Sequence, residues 1–307
     1  MESLETLKAR IEGARGLRSI VRTMKVLAAV GLRQDARARE ALSDYAKAVE
    51  IGLQAVLRSF GSPPGPDRDR PASRPNLEVI VLGSDLGMCG QFNERIAEFA
   101  SRELGGYLSG SRLSLRAVGE RLARRLEDFG LHPSSIYPCP SNPTTGLDMT
   151  IRTLLAGLAA WKESSENSRI QVFFTRQEGG EASCRSLVLL PLDSAYLEAL
   201  RLRPWESTSL PLYKMEGRSL LHACLRETLF VFLRGAFLDS LESENAARLE
   251  AMRQAERHID EGLSELRSRY NAARQEAITA ELLDIVAGVE ATSSDASAYR
   301  KGNVWFT

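Results

Sequence analysis

The stretch "SENAARLEAMRQAERHIDEGLSELRSRYNAARQEAITAELLDIVAG", residues 243–288, decides the fold of this chain. It contains no proline, and Gly262 is the one glycine before the closing Gly288. Apolar and small side chains recur at spacings of three and four, at Met252, Ala255, Ile259, Leu263, Leu266, Tyr270, Ala273 and Ala277. This spacing predicts one long helix with a single apolar stripe, and such a stripe must be buried against a partner.

A second segment of the same kind opens the chain. Apolar side chains follow the same spacing at Leu4, Leu7, Ile11, Ala14, Val21, Met24 and Ala28. We therefore predict an antiparallel coiled coil that pairs an N-terminal helix, 1–60, with a C-terminal helix, 213–290. Residues 8–25 are rich in lysine and arginine, which fits either a solvated face or a face lying against an acidic partner.

The region between the two helices has a different pattern. Prolines and glycines in "GSPPGPDRDRPASRP" end the first helix and predict a linker over 61–76. Within 77–212, strand-like runs alternate with helical ones; the strand-like runs are "LEVIVLG" (77–83), "LSLRAVG" (113–119), "IQVFFT" (170–175) and "SLVLLPL" (186–192). The alternation predicts a small Rossmann-like open α/β domain, so the fold class is α/β (or α+β). We expect the polar tail, 291–307, to be flexible.

Composition excludes several classes of protein. The 307 residues carry 40 basic and 40 acidic side chains, so no net charge favours nucleic acid. No apolar run is long enough for direct membrane insertion, and the N-terminus lacks the apolar core of a signal peptide, so we expect a cytoplasmic chain. The four cysteines and three histidines are scattered, and we expect neither a metal site nor a cofactor.

One turn invites a catalytic interpretation. "VIVLGSDLGMCGQFNE", 79–94, places Gly83, Gly87 and Gly90 between a strand and a helix, where backbone amides could hold a phosphate. The spacing matches neither the dinucleotide fingerprint nor a Walker loop. We favour a structural turn or partner contact that Asp85 orders, and no catalytic triad or carboxylate pair suggests itself.

Three strings taken together resemble one family. They are "LKARIEGARGLRSIVRTMKVLAAVGLR" (7–33), "SDLGMCGQFN" (84–93) and "YNAARQEAITAELLDIVAG" (270–288), the last preceded by "SENAARLEAM" (243–252). They are similar, in this order, to signatures of the gamma subunit of F-type ATP synthases, the central rotor shaft. The resemblance covers nearly the whole chain.

The resemblance implies a rotating central stalk that couples ion translocation through the membrane sector to ATP synthesis or hydrolysis. The implied partners are the alpha and beta subunits of the alpha3beta3 head, the epsilon subunit and the ring of c subunits. Catalysis would belong to the beta subunits, so this chain would not be an enzyme by itself. Its implied location is the cytoplasmic face of a bacterial inner membrane, as a peripheral subunit.

The matched positions imply residue roles. Met24, Lys25, Arg274 and Gln275 match contacts to beta subunits, and Thr279 and Glu281 belong to the same terminal signature. Met24 also fits a coiled-coil core position and Lys25 a solvated one. The string "LYKM", 212–215, resembles the foot loop that meets the c ring, with Tyr213 as its anchor. Lys214 stands where the family commonly has an acid.

Departures from the family pattern suggest a diverged branch. Val289 follows Gly288 where the family has alanine, and the chain continues to a tail that ends with Trp305 and Phe306. Together with the linker, these features suggest an N-type ATPase. Two other functions stay open, a non-catalytic coiled-coil adapter built on the gamma scaffold and a nucleotide-dependent enzyme that uses the glycine turn. The transported ion and the direction of operation stay open as well.

Overall fold

The structure is a computed structural model that describes residues 3–60, 76–107, 113–140, 146–163, 168–205, 209 and 213–302. Within these ranges, the side chains of 60, 159–163 and 290–302 are not described. In chain order the elements are α1 (Leu4–Phe60), β1 (Asn76–Leu82), α2 (Phe92–Leu104), β2 (Leu113–Val118), α3 (Glu120–Asp128), β3 (Ser135–Tyr137), α4 (Leu147–Glu163), β4 (Ser168–Glu178), β5 (Glu181–Leu190), α5 (Ser194–Leu202) and α6 (Gly217–Gly302). The chain divides into two compact units, one of Met1–Met24 with Met252–Thr307 and the other of Lys25–Ala251.

The unit Lys25–Ala251 contains a mixed sheet with the strand order β3-β2-β1-β4-β5. Strands β3, β2, β1 and β4 are parallel, whereas β5 pairs antiparallel with β4 at one edge. The predicted open α/β sheet is therefore confirmed. Sequence patterns predicted four strands with helices between them and missed β3, of three residues, and α5, of nine.

Both faces of the sheet are covered, which explains the unbroken apolar run of β1. Leu77, Val79 and Val81 point into the core under α2 and α3. Ile80 and Leu82 point into the opposite core, which α4 and α6 cover. All five side chains are at most 1% exposed.

The unit Lys25–Ala251 also contains a pair of antiparallel helical segments. Asp35 of α1 contacts Asn245 of α6, and further along α1 the Tyr45 hydroxyl donates to Glu227 at 2.8 Å. Gly31 packs against Asn245 so closely that a β-carbon there would lie 2.7 Å from the amide nitrogen. The contacts move toward the start of α6 as α1 proceeds, so the predicted antiparallel pairing is confirmed.

The other unit contains the remaining parts of both helices. Arg18 of α1 forms an ion pair with Asp260 of α6, with Nε and Oδ1 2.8 Å apart. Of the apolar residues that the spacing placed in the stripe, Leu7, Ile11 and Leu263 are buried, at 2%, 7% and 3% exposure. Tyr270 and Ala273 are half-buried, and Ala277 is exposed. This is the coiled coil that the three-four spacing predicted.

The bounds of the last helix differ from our expectation. Helix α6 begins at Gly217 and continues to Gly302, whereas we expected a helix over 213–290. The reason is that 289–301 contains neither glycine nor proline, so nothing in the backbone stops the helix before Gly302. Trp305 and Phe306 lie outside the described residues, and the flexibility of the tail stays a prediction. Of the described helices, none is both long and apolar enough to cross a bilayer.

Candidate partner-binding site

The last described side chains of α6 form an exposed apolar stripe. Ile278, Leu282, Ile285 and Val289 are spaced by four, three and four residues, so they lie on one face of the helix. Their exposed fractions are 47%, 57%, 59% and 62%. A contiguous exposed stripe of this size on a helix indicates a site where another surface packs. We call these four residues the apolar stripe.

The described side chains of α6 from Arg274 to Val289 are exposed on every face of the helix, the stripe included. Leu4 and Leu7 of α1 line a groove together with Ala273, Ala277 and Ala280 of α6. These alanines lie on the side of α6 away from the apolar stripe, because a helix turns by about 100° per residue. Ala273 is half-buried beside α1, whereas Ala277 and Ala280 are exposed, so α1 covers this end of α6 only as far as Ala273.

The residues matched to beta-subunit contacts on α6 flank the apolar stripe. Arg274 and Glu281 lie on one side, and Gln275 and Thr279 lie on the other, all of them exposed. The Thr279 hydroxyl donates to the carbonyl oxygen of Gln275 at 2.9 Å, which occupies it within the helix. Arg274 and Gln275 therefore offer side-chain donors beside an apolar surface.

Met24 and Lys25 lie on α1 beside its buried line. Val21 is 7% and Ala28 is 2% exposed, and Met24 and Lys25 flank them at half-buried positions. For Met24 this exposure agrees with a position at the margin of the coiled-coil core. Nearby, Leu17, Ile20 and Leu27 of the same helix are more than half exposed.

The predicted foot contact precedes α6. Tyr213 is half-buried and Lys214 is exposed, while Leu212 of the same string lies outside the described residues. Met215 beside them is 54% exposed. The segment therefore presents a cation and an apolar side chain to solvent.

Residues of the glycine turn, 79–94, form hydrogen bonds with the segments that pack beside it. The Asp85 carboxylate accepts from the backbone N–H of Glu120 and from that of Cys139, each at 2.9 Å. The next two N–H groups of α3, those of Arg121 and Leu122, donate to the Ser84 carbonyl at 3.1 and 3.3 Å. In the turn itself, the Gly83 N–H donates to the Val118 carbonyl oxygen at 2.9 Å and the Ser84 N–H donates to the Asn93 side chain at 3.0 Å, so these amide groups are already bonded within the chain.

The glycines of this turn have different roles. Gly90 has φ of +57°, which favours glycine, and Gly119, which the sequence patterns did not single out, has φ of +107°. A β-carbon at Gly119 would lie 2.6 Å from the Ser84 carbonyl oxygen. Gly87 has neither a positive φ nor a close neighbour. The turn presents Leu86 and Met88, 64% and 59% exposed, at its tip.

A cavity of about 510 Å³ lies between α4, α6 and the strands β4 and β5. Its lining is apolar apart from Arg152, Arg226 and Glu227, and Glu227 already accepts from Tyr45. No nucleophile and base converge there. In the part of the chain that the structure describes, no three metal-binding side chains converge either.

Comparison with known proteins identifies the family. A family model described as ATP synthase matches residues 3–292. The ATP synthase gamma chain of Nitratiruptor sp. is 26% identical over 303 residues, covering 95% of this chain and 99% of that protein. The ATP synthase gamma chain of Anaeromyxobacter sp. (strain K) is 29% identical over 307 residues, with the same coverage. The chain belongs to the ATP synthase gamma family.

Solved structures of ATP synthases contain chains with the same fold. A chain in the OSCP/F1/c-ring structure of the Euglena gracilis mitochondrial ATP synthase superposes with a TM-score of 0.63 at 16% identity, covering 95% of each chain. A chain in the central stalk/c-ring structure of the Tetrahymena thermophila enzyme gives 0.52 at 18% identity, covering 77% of this chain and 99% of that one. The predicted gamma subunit of an F-type ATP synthase is confirmed. Its assignment to the N-type branch stays a prediction.

Proposed function

We propose that this gamma-family chain is the rotating shaft of its ATP synthase, and that the apolar stripe of α6 turns inside the alpha3beta3 head. The observation that carries the proposal is the exposure of Ile278, Leu282, Ile285 and Val289 on one face of the last described turns of α6. Apolar surfaces of the alpha and beta subunits around this stripe would remove it from water. Because apolar contacts are non-directional, they would not fix the shaft in one orientation.

Polar side chains beside the stripe would make the contacts that change with rotation. Arg274 and Gln275 can donate to carboxylates on loops of the beta subunits, and a charge-assisted contact of this kind forms and breaks at one angular position. Met24 and Lys25 of α1 would contribute to the same contact with the beta subunits. Thr279, bonded to its own helix, and Glu281 would support this segment.

Rotation of the shaft would change the state of the catalytic beta subunits because the shaft is asymmetric. A single helix pair presents different faces to three chemically identical beta subunits, so it stabilises a different conformation in each of them. Turning the shaft exchanges these conformations and so couples ATP turnover to ion movement. Catalysis would then take place in the beta subunits.

The other contacts follow from the same proposal. Tyr213 and Lys214 would meet the c ring, and the α/β domain would hold the epsilon subunit near the membrane. The chain would then work as a peripheral subunit at the cytoplasmic face of a bacterial inner membrane. Since Lys214 presents a cation there, we expect acidic side chains on the loops of its c ring.

The test is ATP hydrolysis by this chain co-expressed with the alpha and beta subunits of the same organism. We expect an assembly of three alpha, three beta and one copy of this chain, with Mg-ATP turnover that depends on it. Replacing both Arg274→Ala and Gln275→Ala should lower turnover by about tenfold, the loss expected for a charged hydrogen bond. The matched control is Arg267→Ala, an exposed arginine upstream on the same helix.

The alternative adapter function gives a different result. An adapter would leave alpha and beta turnover independent of this chain and insensitive to Arg274 and Gln275. Assembly without any dependence of turnover on the chain would therefore reject the shaft and favour the adapter.

A further inference from the structure

A cluster of charged side chains lies where α1, α6 and β4 meet within the unit Lys25–Ala251. It consists of Asp35 and Arg39 from α1, Asp239, Glu242 and Asn245 from α6, and Arg176 from β4. We call it the Asp35 cluster. None of these residues belongs to the proposed contacts with other subunits.

Asp35 is the member with the weakest charge compensation. It is 2% exposed, and its partner for a hydrogen bond is the neutral amide of Asn245, whose nitrogen donates to Oδ2 at 2.8 Å. Gly31, one turn earlier on α1, provides the space that brings Asn245 so near. A buried carboxylate held by a neutral donor is costly in its charged form.

The two arginines are engaged by the other acids of the cluster. Arg39 forms an ion pair with Asp239 and lies 3.7 Å from Glu242, and Arg176 lies 3.9 Å from Asp239. Three carboxyl groups thus face two guanidinium groups. The cluster carries one surplus negative charge when Asp35 is ionised and none when Asp35 holds a proton.

The neighbouring charges on α6 do not alter this balance. Glu244 and Arg248, one turn apart, form an ion pair with each other and add no net charge. From β4, the Thr175 carbonyl oxygen accepts from the Ser243 hydroxyl at 3.1 Å. Among the described residues that pack on this site, no further cation therefore faces the surplus negative charge of the Asp35 cluster.

We propose that Asp35 binds a proton in the folded chain under mildly acidic conditions and that this proton tightens the packing of α1 on α6. The proposal concerns the chain itself and goes beyond its function as a shaft. In agreement with it, burial raises the pKa of Asp35 to about 6, Glu242 adds to the rise, and the Asn245 hydrogen bond opposes it.

The sign of the effect follows from linkage. The folded-state pKa of Asp35 lies above the ordinary aspartate value of 3.8, so the folded chain holds the proton more tightly than the unfolded chain. Stability is therefore greatest at low pH and falls as the pH rises from about 4 toward 6 and above. This is the reverse of the usual behaviour of a salt-bridged aspartate.

The experiment is urea unfolding of the full chain, followed by helical circular dichroism at several pH values between 5 and 8. We expect the unfolding equilibrium constant of the wild type to rise about tenfold more over this range than that of Asp35→Asn, which cannot ionise. Asp44→Asn is the matched control, because Asp44 lies on the same helix with its side chain 80% exposed. It should keep the wild-type pH dependence.

A second variant covers the case in which Asp35→Asn does not fold. Glu242 is about one-third exposed, and Glu242→Gln removes the neighbouring negative charge while leaving Asp35 in place. We expect a smaller pH dependence between pH 5 and 8 than in the wild type. Equal pH dependence in the wild type and in Asp35→Asn, or in the wild type and in Glu242→Gln, would overturn the proposal.

Discussion

The carboxylate of Asp85 accepts a hydrogen bond from the backbone N–H of Glu120 at 2.9 Å, so a side chain from the turn after β1 caps the first residue of α3. The residue at the cap position of α3 itself is Gly119, which has no side chain to supply this bond. The second oxygen of Asp85 accepts from Cys139, beyond β3. One carboxylate thus joins the ends of three parallel strands.

Removing this carboxylate should loosen the turn. We expect Asp85→Ala to lower the free energy of unfolding by about 2 kcal/mol, since two backbone donors lose their acceptor. Urea unfolding measures the change. Glu127→Ala, an exposed acid on α3, should behave as the wild type. A neutral result for Asp85→Ala would show that water replaces the carboxylate without cost.

The same geometry makes a prediction about nucleotides. The Gly83 and Ser84 N–H groups of the turn are already bonded, and Asp85 places a carboxylate there, so the isolated chain should not bind Mg-ATP at this turn. Isothermal titration of the isolated chain with Mg-ATP measures this directly. Binding that Gly87→Val abolishes would instead support the enzyme alternative.

Gly157 of α4 makes room for a buried ion pair. Arg116 bonds to Glu78, which is fully buried, and its Nη1 donates to the Tyr137 hydroxyl at 2.8 Å. A β-carbon at Gly157 would lie 2.6 Å from that Nη1, and the bonds to Glu78 and Tyr137 prevent the guanidinium from moving away freely. We expect Gly157→Ala to destabilise the fold by about 1–3 kcal/mol.

The control for this substitution is another helical glycine. Gly262 has open space around its α-carbon, so Gly262→Ala should stabilise the chain by up to about 1 kcal/mol through helix propensity. Thermal unfolding of both variants compares them directly. If Gly157→Ala also stabilised the chain, the ion pair under α4 would not be held as the structure places it.

The apolar stripe should matter for assembly and not for folding. Leu282 is 57% exposed and Leu263 is 3% exposed on the same helix. We expect Leu282→Ala to change the free energy of unfolding by less than about 0.5 kcal/mol, and Leu263→Ala to lower it by about 2–4 kcal/mol. Co-purification with the alpha and beta subunits should be lost for Leu282→Asp. Retained assembly with full turnover would place the stripe outside the head.

Tyr196 provides a prediction at alkaline pH. Burial, together with the Glu50 carboxylate, raises the pKa of its phenol to about 12. The folded state therefore holds this proton more tightly than the unfolded state, and its contribution to stability is lost as the pH rises from 10 toward 12. Unfolding of the wild type should become easier over this range relative to Tyr196→Phe. Parallel curves for the two proteins would contradict the burial of the phenol beside Glu50.

Much of the fold could be predicted because its main elements are long and periodic. Helix α1 repeats its apolar spacing over many turns, and β1 is an apolar run that is buried on both faces. Strand β3 has three residues and α5 has nine, so neither contains enough of a period to stand out from a loop. Each depends on contacts that the rest of the sheet provides.

The candidate site was only partly readable from sequence. The positions of Arg274 and Gln275 came from family resemblance, whereas the exposure of Ile278 and Leu282 could be established only from the packing of α1 against α6, which ends near Ala273. The Asp35 cluster gave no signal, because a helical aspartate that faces a neighbour has the same local pattern as one that faces water. Glu78 did give one: it is a charged residue within an otherwise apolar strand.

The alanines of α6 also affect the width of this end of the protein. Ala277 and Ala280 are exposed, so α6 presents small side chains on this face. An α-helix with its side chains is about 10–12 Å across, and alanines keep this face at the lower end of that range. An opening that receives this end of the protein can therefore be narrow on the side of the alanines, whatever the outward residues recognise.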